Sequence, residues 1–171
     1  MLKIREANTN DAVYIALLGR ITYTESHGKY IKNPSDLQTY YNNQFSVAKI
    51  LEEIEDQNNI FWIVFHNDLP IGFAKLSLNN NHKDIPNKNS CRLEKIYVLN
   101  DFIGMKIGSK LKDILIAKAI DLKFNNIWLA TYIKNEKAQN FYKKSGFQQV
   151  GFIDFIVGND SYKNFLFSKN L

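Results

Sequence analysis

Near its C-terminal end the chain reads Asn135-Glu136-Lys137-Ala138-Gln139-Asn140-Phe141-Tyr142-Lys143-Lys144-Ser145-Gly146-Phe147. Four of these residues recur at the i, i+3, i+4 and i+7 spacing of one helical face: Ala138, Phe141, Tyr142 and Ser145. Gly146 suits the left-handed residue that often ends a helix. Because the apolar run 127–131 just before has the length of a buried strand, the pattern predicts a strand followed by a short helix whose apolar face carries a phenol.

The stretch 135–147 resembles the second signature of the GCN5-related N-acetyltransferase (GNAT) family, Asn-x-x-Ala-x-x-Phe-Tyr-x-x-x-Gly-Phe, at every named position. The family's first signature, Gln/Arg-x-x-Gly-x-Gly/Ala, is matched in part further upstream. There Ile103 and Lys106 replace the usual Gln/Arg and first Gly, whereas Gly108 is retained. The resemblance implies one N-acetyltransferase domain over residues 1–171, using acetyl-CoA as co-substrate.

Hydrophobic patterns predict the remaining elements of the fold. Strands are expected at 2–7, 60–65, 71–78, 91–98, 127–131, 147–155 and 162–168. Helices are expected after 9–11, 34, 46, 104 and 135, and the first should bury Val13, Leu17, Leu18 and Ile21. A strand, a helix and a strand in succession predict a right-handed parallel crossover between 91–98 and 127–131. The polar stretch 79–89 is interpreted as a mobile surface loop without function.

We therefore expect an α/β (α+β) fold with a mixed, mostly antiparallel central sheet flanked by helices. The resemblance adds that the sheet is splayed between the strands ending near Val98 and Ala130. Backbone groups of Ile96, Tyr97 and Val98 would then be free to pair with the pantetheine arm of the cofactor like an added strand.

Composition limits the function classes. With 45% apolar and 23% charged residues, the 171-residue chain suits a single globular core. Its single cysteine, Cys91, excludes an internal disulfide, and no run approaches the roughly 18 apolar residues of a membrane span. The net charge of +5 is carried by scattered lysines, which argues against nucleic-acid binding. We expect a cytoplasmic protein without membrane contact, either a monomer or a homodimer.

The segment from Gly104 to Ser109 is the candidate cradle for the cofactor's pyrophosphate, because a loop before a helix offers free N–H groups and the positive end of the helix dipole. A loop with helix-packing glycines is the structural alternative, and Asn135 could simply cap its helix. The order Ser109-Lys110 and the short spacing do not fit a P-loop. The expected cofactor-binding residues are Ile96, Tyr97, Val98, Gly104, Met105, Lys106, Ile107, Gly108, Ser109, Asn135, Lys137, Tyr142 and Lys144.

Tyr142 is the candidate general acid, because a phenol with a pKa near ~10 can protonate a thiolate whose conjugate acid lies near ~8.5. Glu94 is the candidate base through water, and alternation would place it on the same strand face as Ile96 and Val98. A core tyrosine and a salt-bridged carboxylate are the structural alternatives. No Cys/His ligand cluster is apparent, so no metal is expected.

The acceptor is expected to be a small amine. Segments 24–30, 93–98, 127–129 and 155–160 resemble PaiA-type spermidine/spermine acetyltransferases, which implies a polyamine acceptor bound by Glu25 and Glu94. Glu25 could equally be an exposed acid at a helix end. Protein or peptide N-acetylation, and a non-catalytic acetyl-CoA-binding regulatory domain, are the alternative functions.

Overall fold

The computed structural model describes residues 1–85 and 87–171. The strands are β1 (Leu2–Glu6), β2 (Asn59–His66), β3 (Leu69–Ser77), β4 (Ser90–Val98), β5 (Asn126–Tyr132), β6 (Gln148–Val157) and β7 (Asp160–Asn170). The helices are α1 (Ala12–His27), α2 (Pro34–Gln44), α3 (Val47–Glu55), α4 (Ile107–Asp121) and α5 (Glu136–Lys144). Short 3-10 turns occupy Thr9–Asp11, Gly28–Tyr30 and Asn100–Phe102.

The strands form one seven-stranded sheet in the order β1-β2-β3-β4-β5-β7-β6. Its neighbouring strands are antiparallel except β4 and β5, which the crossover through α4 makes parallel. The pairing of β4 with β5 covers only Ser90–Arg92 against Asn126–Trp128. Beyond these pairs the strands separate, so the predicted mixed sheet and its splay are both confirmed.

Helices cover both faces of the sheet, as the amphipathic patterns require. On one face, Leu111 and Leu115 of α4 pack with Phe147 and with residues of β3 to β5. On the other face, Ile15 of α1 and Ile50 of α3 pack with residues of β2 and β3. The splay between β4 and β5 therefore opens between two helical layers.

The first helix buries a different stripe from the one predicted. Val13 and Leu17 are 58% and 57% exposed, and Ile21 is 40% exposed. The buried stripe contains Ile15, Ala16, Leu18, Gly19, Thr22 and Tyr23. Gly19 explains why this face of α1 is buried and not the predicted one, because a Cβ at Gly19 would lie 2.2 Å from a ring carbon of Phe45. Only the glycine face can approach that ring so closely.

The loop between β3 and β4 is anchored more firmly than the polar sequence predicts. Ile85 is 4% exposed and packs with Trp128 and Leu166. The Trp128 indole N–H donates to the Asn80 carbonyl at 2.7 Å. Pro86, which also belongs to the predicted loop, lies outside the described residues. The described part of the loop thus helps to fix the orientation of the Trp128 ring on β5.

Candidate active site

A cavity of about 280 Å³ lies where β4 and β5 separate. Its walls come from α1, α2, β4, β5, α5 and the β6-β7 hairpin. The predicted site residues that it brings together are Glu94, Ile96, Tyr97, Asn135 and Tyr142. Those outside its lining are Glu25, Val98, Gly104, Met105, Lys106, Ile107, Gly108, Ser109, Lys137 and Lys144.

Tyr142 is held on the inner face of α5, as its helical spacing predicts. The residue is 8% exposed, and its ring makes edge contacts with Phe141 and Phe147 at centroid distances of 5.0 and 5.6 Å. Gly146 ends the helix with a φ of +83°, and the Phe147 N–H donates to the Tyr142 carbonyl at 3.1 Å. Burial raises the pKa of Tyr142, so its phenol retains its proton in the resting site.

Asn135 combines the two roles that its sequence position allows. Its side-chain oxygen accepts from the Ala138 N–H at 3.1 Å and so caps α5. The residue also lines the cavity. Lys137 and Lys144 lie on the exposed side of the same helix. The cap therefore fixes the start of the helix that carries Tyr142.

The start of α4 is an open arrangement of backbone donors. Its first helical hydrogen bond is donated by Lys110 to the Lys106 carbonyl at 3.1 Å, so the amides of Ile107, Gly108 and Ser109 precede the hydrogen-bonded ladder. Lys106 is the N-cap residue, in a left-handed conformation with a φ of +57°. Among the described residues, no side chain caps this helix start.

The start of α4 also leaves open space around two glycines, Gly104 and Gly108. A Cβ added to Gly104 or Gly108 would meet nothing within 4 Å. Gly104 also has a φ of +105°, a conformation that favours glycine. Open space over unbonded amides fits a phosphate group. Gly104 to Ser109 could therefore hold the pyrophosphate of coenzyme A, and the free edge of β4 could pair with its pantetheine arm.

The register between β3 and β4 contains an irregularity that the sequence pattern did not reveal. Lys75 pairs with Lys95, whereas Leu76 pairs with Leu93. Glu94 is therefore an extra residue on β4, which is the arrangement of a β-bulge. The alternation of side chains along β4 is interrupted at this point.

The bulge places Glu94 on the opposite face from its predicted neighbours. Ile96 and Val98 pack in the core beneath α4. The Glu94 carboxylate instead accepts from Lys75, whose Nζ lies 5.5 Å from the Phe61 ring centroid on the other face. The prediction that Glu94, Ile96 and Val98 share one face is wrong, because it assumed uninterrupted alternation.

Glu94 belongs to a buried cluster of four charged side chains. Its carboxylate lies 2.6 Å from Lys95 Nζ and 3.1 Å from Lys75 Nζ, and Lys75 Nζ lies 3.0 Å from Glu53. Burial acts to raise the pKa of Glu94, but the charges of Lys95 and Lys75 outweigh it and lower the pKa to about 2. Burial lowers the pKa of Lys95, although Glu94 opposes that shift. At neutral pH the carboxylate is ionised and already paired.

Glu25 lies near the end of α1, outside the cavity lining. Its carboxylate accepts a hydrogen bond from the backbone N–H of Asn100 at 3.1 Å. Asn100 begins the turn that follows β4. Glu25 therefore ties α1 to the segment that leads toward α4, and the structure does not bring it together with Glu94.

Tyrosine rings that the sequence analysis did not single out form much of the cavity wall. Tyr23 and Tyr40 lie 4.4 Å apart between centroids, and Tyr132 lies 5.0 Å from Tyr30 and 6.0 Å from Tyr162. These residues come from α1, the 3-10 turn that follows it, α2, β5 and β7. No local motif unites them, so the sequence offered no signal for their convergence.

His27 also lines the cavity and was not predicted as a site residue. Its ring stacks on Tyr23 at 4.6 Å, and its Nδ1 lies 2.7 Å from the Ser26 hydroxyl. Burial lowers the pKa of His27 to about 4. The imidazole is therefore neutral at pH 7.

Two further polar groups at the cavity have no partner. Arg92 Nε and Thr131 Oγ1 are buried, and neither has a hydrogen-bond partner within residues 1–85 and 87–171. Arg92 lies in the last parallel pair, opposite Trp128, with its guanidinium carbon 4.8 Å from the Trp128 ring centroid. Arg92 shares its strand with two other charged residues, Glu94 and Lys95, so the sequence offered no signal that singled it out.

Metal-binding groups and membrane-spanning helices are both absent from the described residues. In that part of the chain, no group of three or more His, Cys, Asp or Glu side chains could hold a metal ion. Nor does any helix in the described ranges have the length and apolar character needed to cross a bilayer.

Comparison with known proteins connects this geometry to a family. The family model for the acetyltransferase (GNAT) family matches residues 26–147. An uncharacterized N-acetyltransferase of Lactobacillus delbrueckii subsp. lactis is 24% identical over 170 residues, covering 99% of this chain and 98% of that protein. An uncharacterized N-acetyltransferase of Mycobacterium tuberculosis is 25% identical over 138 residues, covering 81% of this chain and 84% of the relative.

Solved structures share the fold over their whole length. The PaiA N-acetyltransferase of Thermoplasma acidophilum, crystallised in complex with coenzyme A, gives a TM-score of 0.80 at 19% identity, covering 100% of this chain and 99% of that one. A probable acetyltransferase of Staphylococcus epidermidis gives a TM-score of 0.76 at 19% identity, covering 99% of each chain. Because the family model spans more than half of the chain and the same fold surrounds the cavity, the chain belongs to the GNAT family of acetyl-CoA-dependent N-acetyltransferases.

Proposed function

We propose that this protein transfers the acetyl group of acetyl-CoA directly to a primary amine of a small molecule, with Tyr142 as the general acid. One observation carries the proposal. The phenol of Tyr142 lines the cavity at the splay of the sheet, and its helix starts at Asn135, which lines the same cavity. A proton donor is thus held in the cleft that the free edge of β4 borders.

Bound acetyl-CoA supplies an activated acyl group with a thiolate as leaving group. The chain must therefore provide a proton to sulfur and a route for a proton away from the amine. Tyr142 supplies the first: burial raises its pKa, so the phenol carries its proton in the resting site, and it passes that proton to sulfur as the carbon–sulfur bond breaks. As the nitrogen–carbon bond forms and the carbon–sulfur bond breaks, one proton leaves nitrogen and one reaches sulfur.

Glu94 is the proposed acceptor of the amine's proton, through water. Its place in the cavity lining supports that role. Its pKa of about 2 makes it a weak base, because proton transfer is efficient when the pKa of the base lies near the working pH. We therefore expect Glu94 to act mainly by fixing Lys75 and Lys95, with proton transfer as a secondary contribution.

A polyamine such as spermidine or spermine is the acceptor that the sequence resemblance favours. The tyrosine rings of the cavity support it, because aromatic faces attract alkylammonium groups and pack against methylene chains. The two predicted acceptor-binding carboxylates, Glu94 and Glu25, do not add support for a polyamine. Glu94 is paired with two lysines, and Glu25 bonds to the Asn100 backbone.

The test is an amine panel with acetyl-CoA, in which release of free thiol is followed in a spectrophotometer. The panel contains spermidine, spermine, simple alkylamines, amino acids and peptides with free N-termini. Turnover with small amines supports the proposal. Turnover with peptides alone would assign a protein or peptide acceptor. Tight acetyl-CoA binding without turnover of any amine would instead assign a regulatory domain.

A further inference from the structure

We propose that the acceptor carries a carboxylate in addition to its amine, and that Arg92 binds this carboxylate inside the cavity. The inference rests on the proposed acetyl transfer and narrows its substrate class. It is an alternative to the polyamine acceptor, and the charge of the site favours it.

The first step of the argument is the charge balance at the cavity. Lys75 and Lys95 are matched by Glu53 and Glu94, with nitrogen–oxygen distances of 2.6 to 3.1 Å. These four charges cancel. Arg92 lines the same cavity, and the salt bridges within the described ranges do not include it, although its charge helps to lower the pKa of Glu94. The uncompensated charge of the site is therefore positive, which disfavours a polycation.

The second step is the orientation of the guanidinium. Its carbon lies 4.8 Å from the Trp128 ring centroid, so the group lies over the indole. Trp128 is 2% exposed, and its N–H is bonded to Asn80. Burial and this hydrogen bond hold the Trp128 ring, which in turn supports the guanidinium of Arg92.

The third step is the unpaired donor. Arg92 Nε is buried and has no hydrogen-bond partner among the described residues, and an unsatisfied buried polar group is unfavourable unless a ligand or water completes it. Nε together with a terminal N–H offers the side-on pair of donors that suits the two oxygens of a carboxylate. Thr131 Oγ1, the other unpaired buried atom, lines the same cavity on β5.

The position of Arg92 in the sheet agrees with binding of the acceptor carboxylate. Arg92 lies at the last register pair between β4 and β5, two residues before Glu94 at the bulge. An acceptor bound by Arg92 at the base of the splay could direct its amine along the cavity toward the residues that line it, Tyr142 among them. A compact amino acid fits the cavity volume of about 280 Å³.

The experiment compares matched acceptors on wild type and on two variants. A series of ω-amino acids of increasing length is assayed beside the n-alkylamines that lack only the carboxylate, with spermidine included. We expect the best amino acid to exceed its matched alkylamine in kcat/KM by at least about 10-fold, the scale of a charge-assisted hydrogen bond. In Arg92→Met the ratio should fall to about 1, and Arg92→Lys should retain only part of it.

A binding measurement separates this proposal from the proposed reaction. Thermal unfolding is followed with coenzyme A present, with and without each amino acid, while the affinity for coenzyme A checks that the variants remain folded. Stabilisation by the amino acid that Arg92→Met abolishes supports the carboxylate site even if no amine is acetylated. Equal or better use of spermidine, or a preference that Arg92→Met leaves unchanged, would overturn it.

Discussion

The start of α4 and the base of the cavity offer different kinds of groups to a ligand. At Gly104 to Ser109 the candidate groups are backbone amides with open space above two glycines. At the base of the splay they are the charged side chains of Lys75 and Lys95, which are buried, and of Arg92 and Glu94, which are half-buried. The first arrangement suits a cofactor shared by a whole family, whereas the second depends on individual charges and can differ between relatives.

The largest expected effect is at Tyr142, which lies between these two regions. Tyr142→Phe keeps the ring in its contacts with Phe141 and Phe147 and removes only the transferable proton. We expect kcat to fall by about 10²- to 10⁴-fold, the usual contribution of general acid catalysis. Affinity for coenzyme A, measured by isothermal titration calorimetry, should stay within about twofold. A kcat close to that of wild type would remove the acid role.

The next prediction tests whether the charge cluster supports the fold as well as the site. Glu94→Gln leaves Lys75 and Lys95 with a single carboxylate, Glu53, and breaking a buried ion pair costs about 3–5 kcal/mol of unfolding free energy. Urea denaturation would measure the loss. The matched control is Glu52→Gln, because the Glu52 side chain is 71% exposed in its pair with Lys49 and should cost at most about 1 kcal/mol. Equal losses of unfolding free energy in the two variants would show that the buried cluster stabilises the fold no more than an exposed ion pair does.

A smaller effect is expected at the cofactor end. Gly108→Val adds atoms where the protein itself has nothing within 4 Å, so the fold should be retained while a bound pyrophosphate loses its close approach. We expect coenzyme A to bind at least about 10-fold more weakly by calorimetry, a change of about 1.4 kcal/mol. Ala117→Val, at an exposed position of the same helix, controls for helix propensity. Unchanged affinity in a folded Gly108→Val protein would place the cofactor elsewhere.

The smallest effect is expected at Glu25, the carboxylate that the sequence analysis placed with the acceptor. Because its partner is the Asn100 N–H, Glu25→Gln should change the KM for the acceptor by less than about twofold, since an amide oxygen can still accept this bond. Steady-state kinetics on the best acceptor would measure it. A large rise in KM confined to amines would instead return Glu25 to the acceptor site.

The sequence predicted the fold well where the signal was local. Residues 135–147 predicted α5, its cap and the inward Tyr142, and the alternation of strand and helix predicted the parallel crossover. Contacts between residues distant in the sequence were not predictable in this way. Which face of α1 is buried depends on the contact between Gly19 and Phe45, a residue distant in sequence. Which side of β4 carries Glu94 depends on a β-bulge that the residue types do not predict. Arg92 was not predicted because a single arginine forms no sequence motif. Its importance follows from the missing hydrogen-bond partner of its Nε among the described residues, which only the structure reveals.

The short pairing of β4 with β5 has a mechanical consequence. Within the part of the chain that the structure describes, only three register pairs, Ser90 to Arg92 against Asn126 to Trp128, join the two halves of the sheet directly. We expect such a short joint to act as a hinge between two stiffer plates, β1 to β4 on one side and β5 to β7 on the other. A molecule that fills the gap adds bonds across the hinge and stiffens it, so we expect amide hydrogen exchange near the joint to slow when the cleft is occupied. Arg92 and Trp128 lie at the hinge itself, so a small rotation of the plates changes the cleft width least beside them and most at the far ends of β4 and β5.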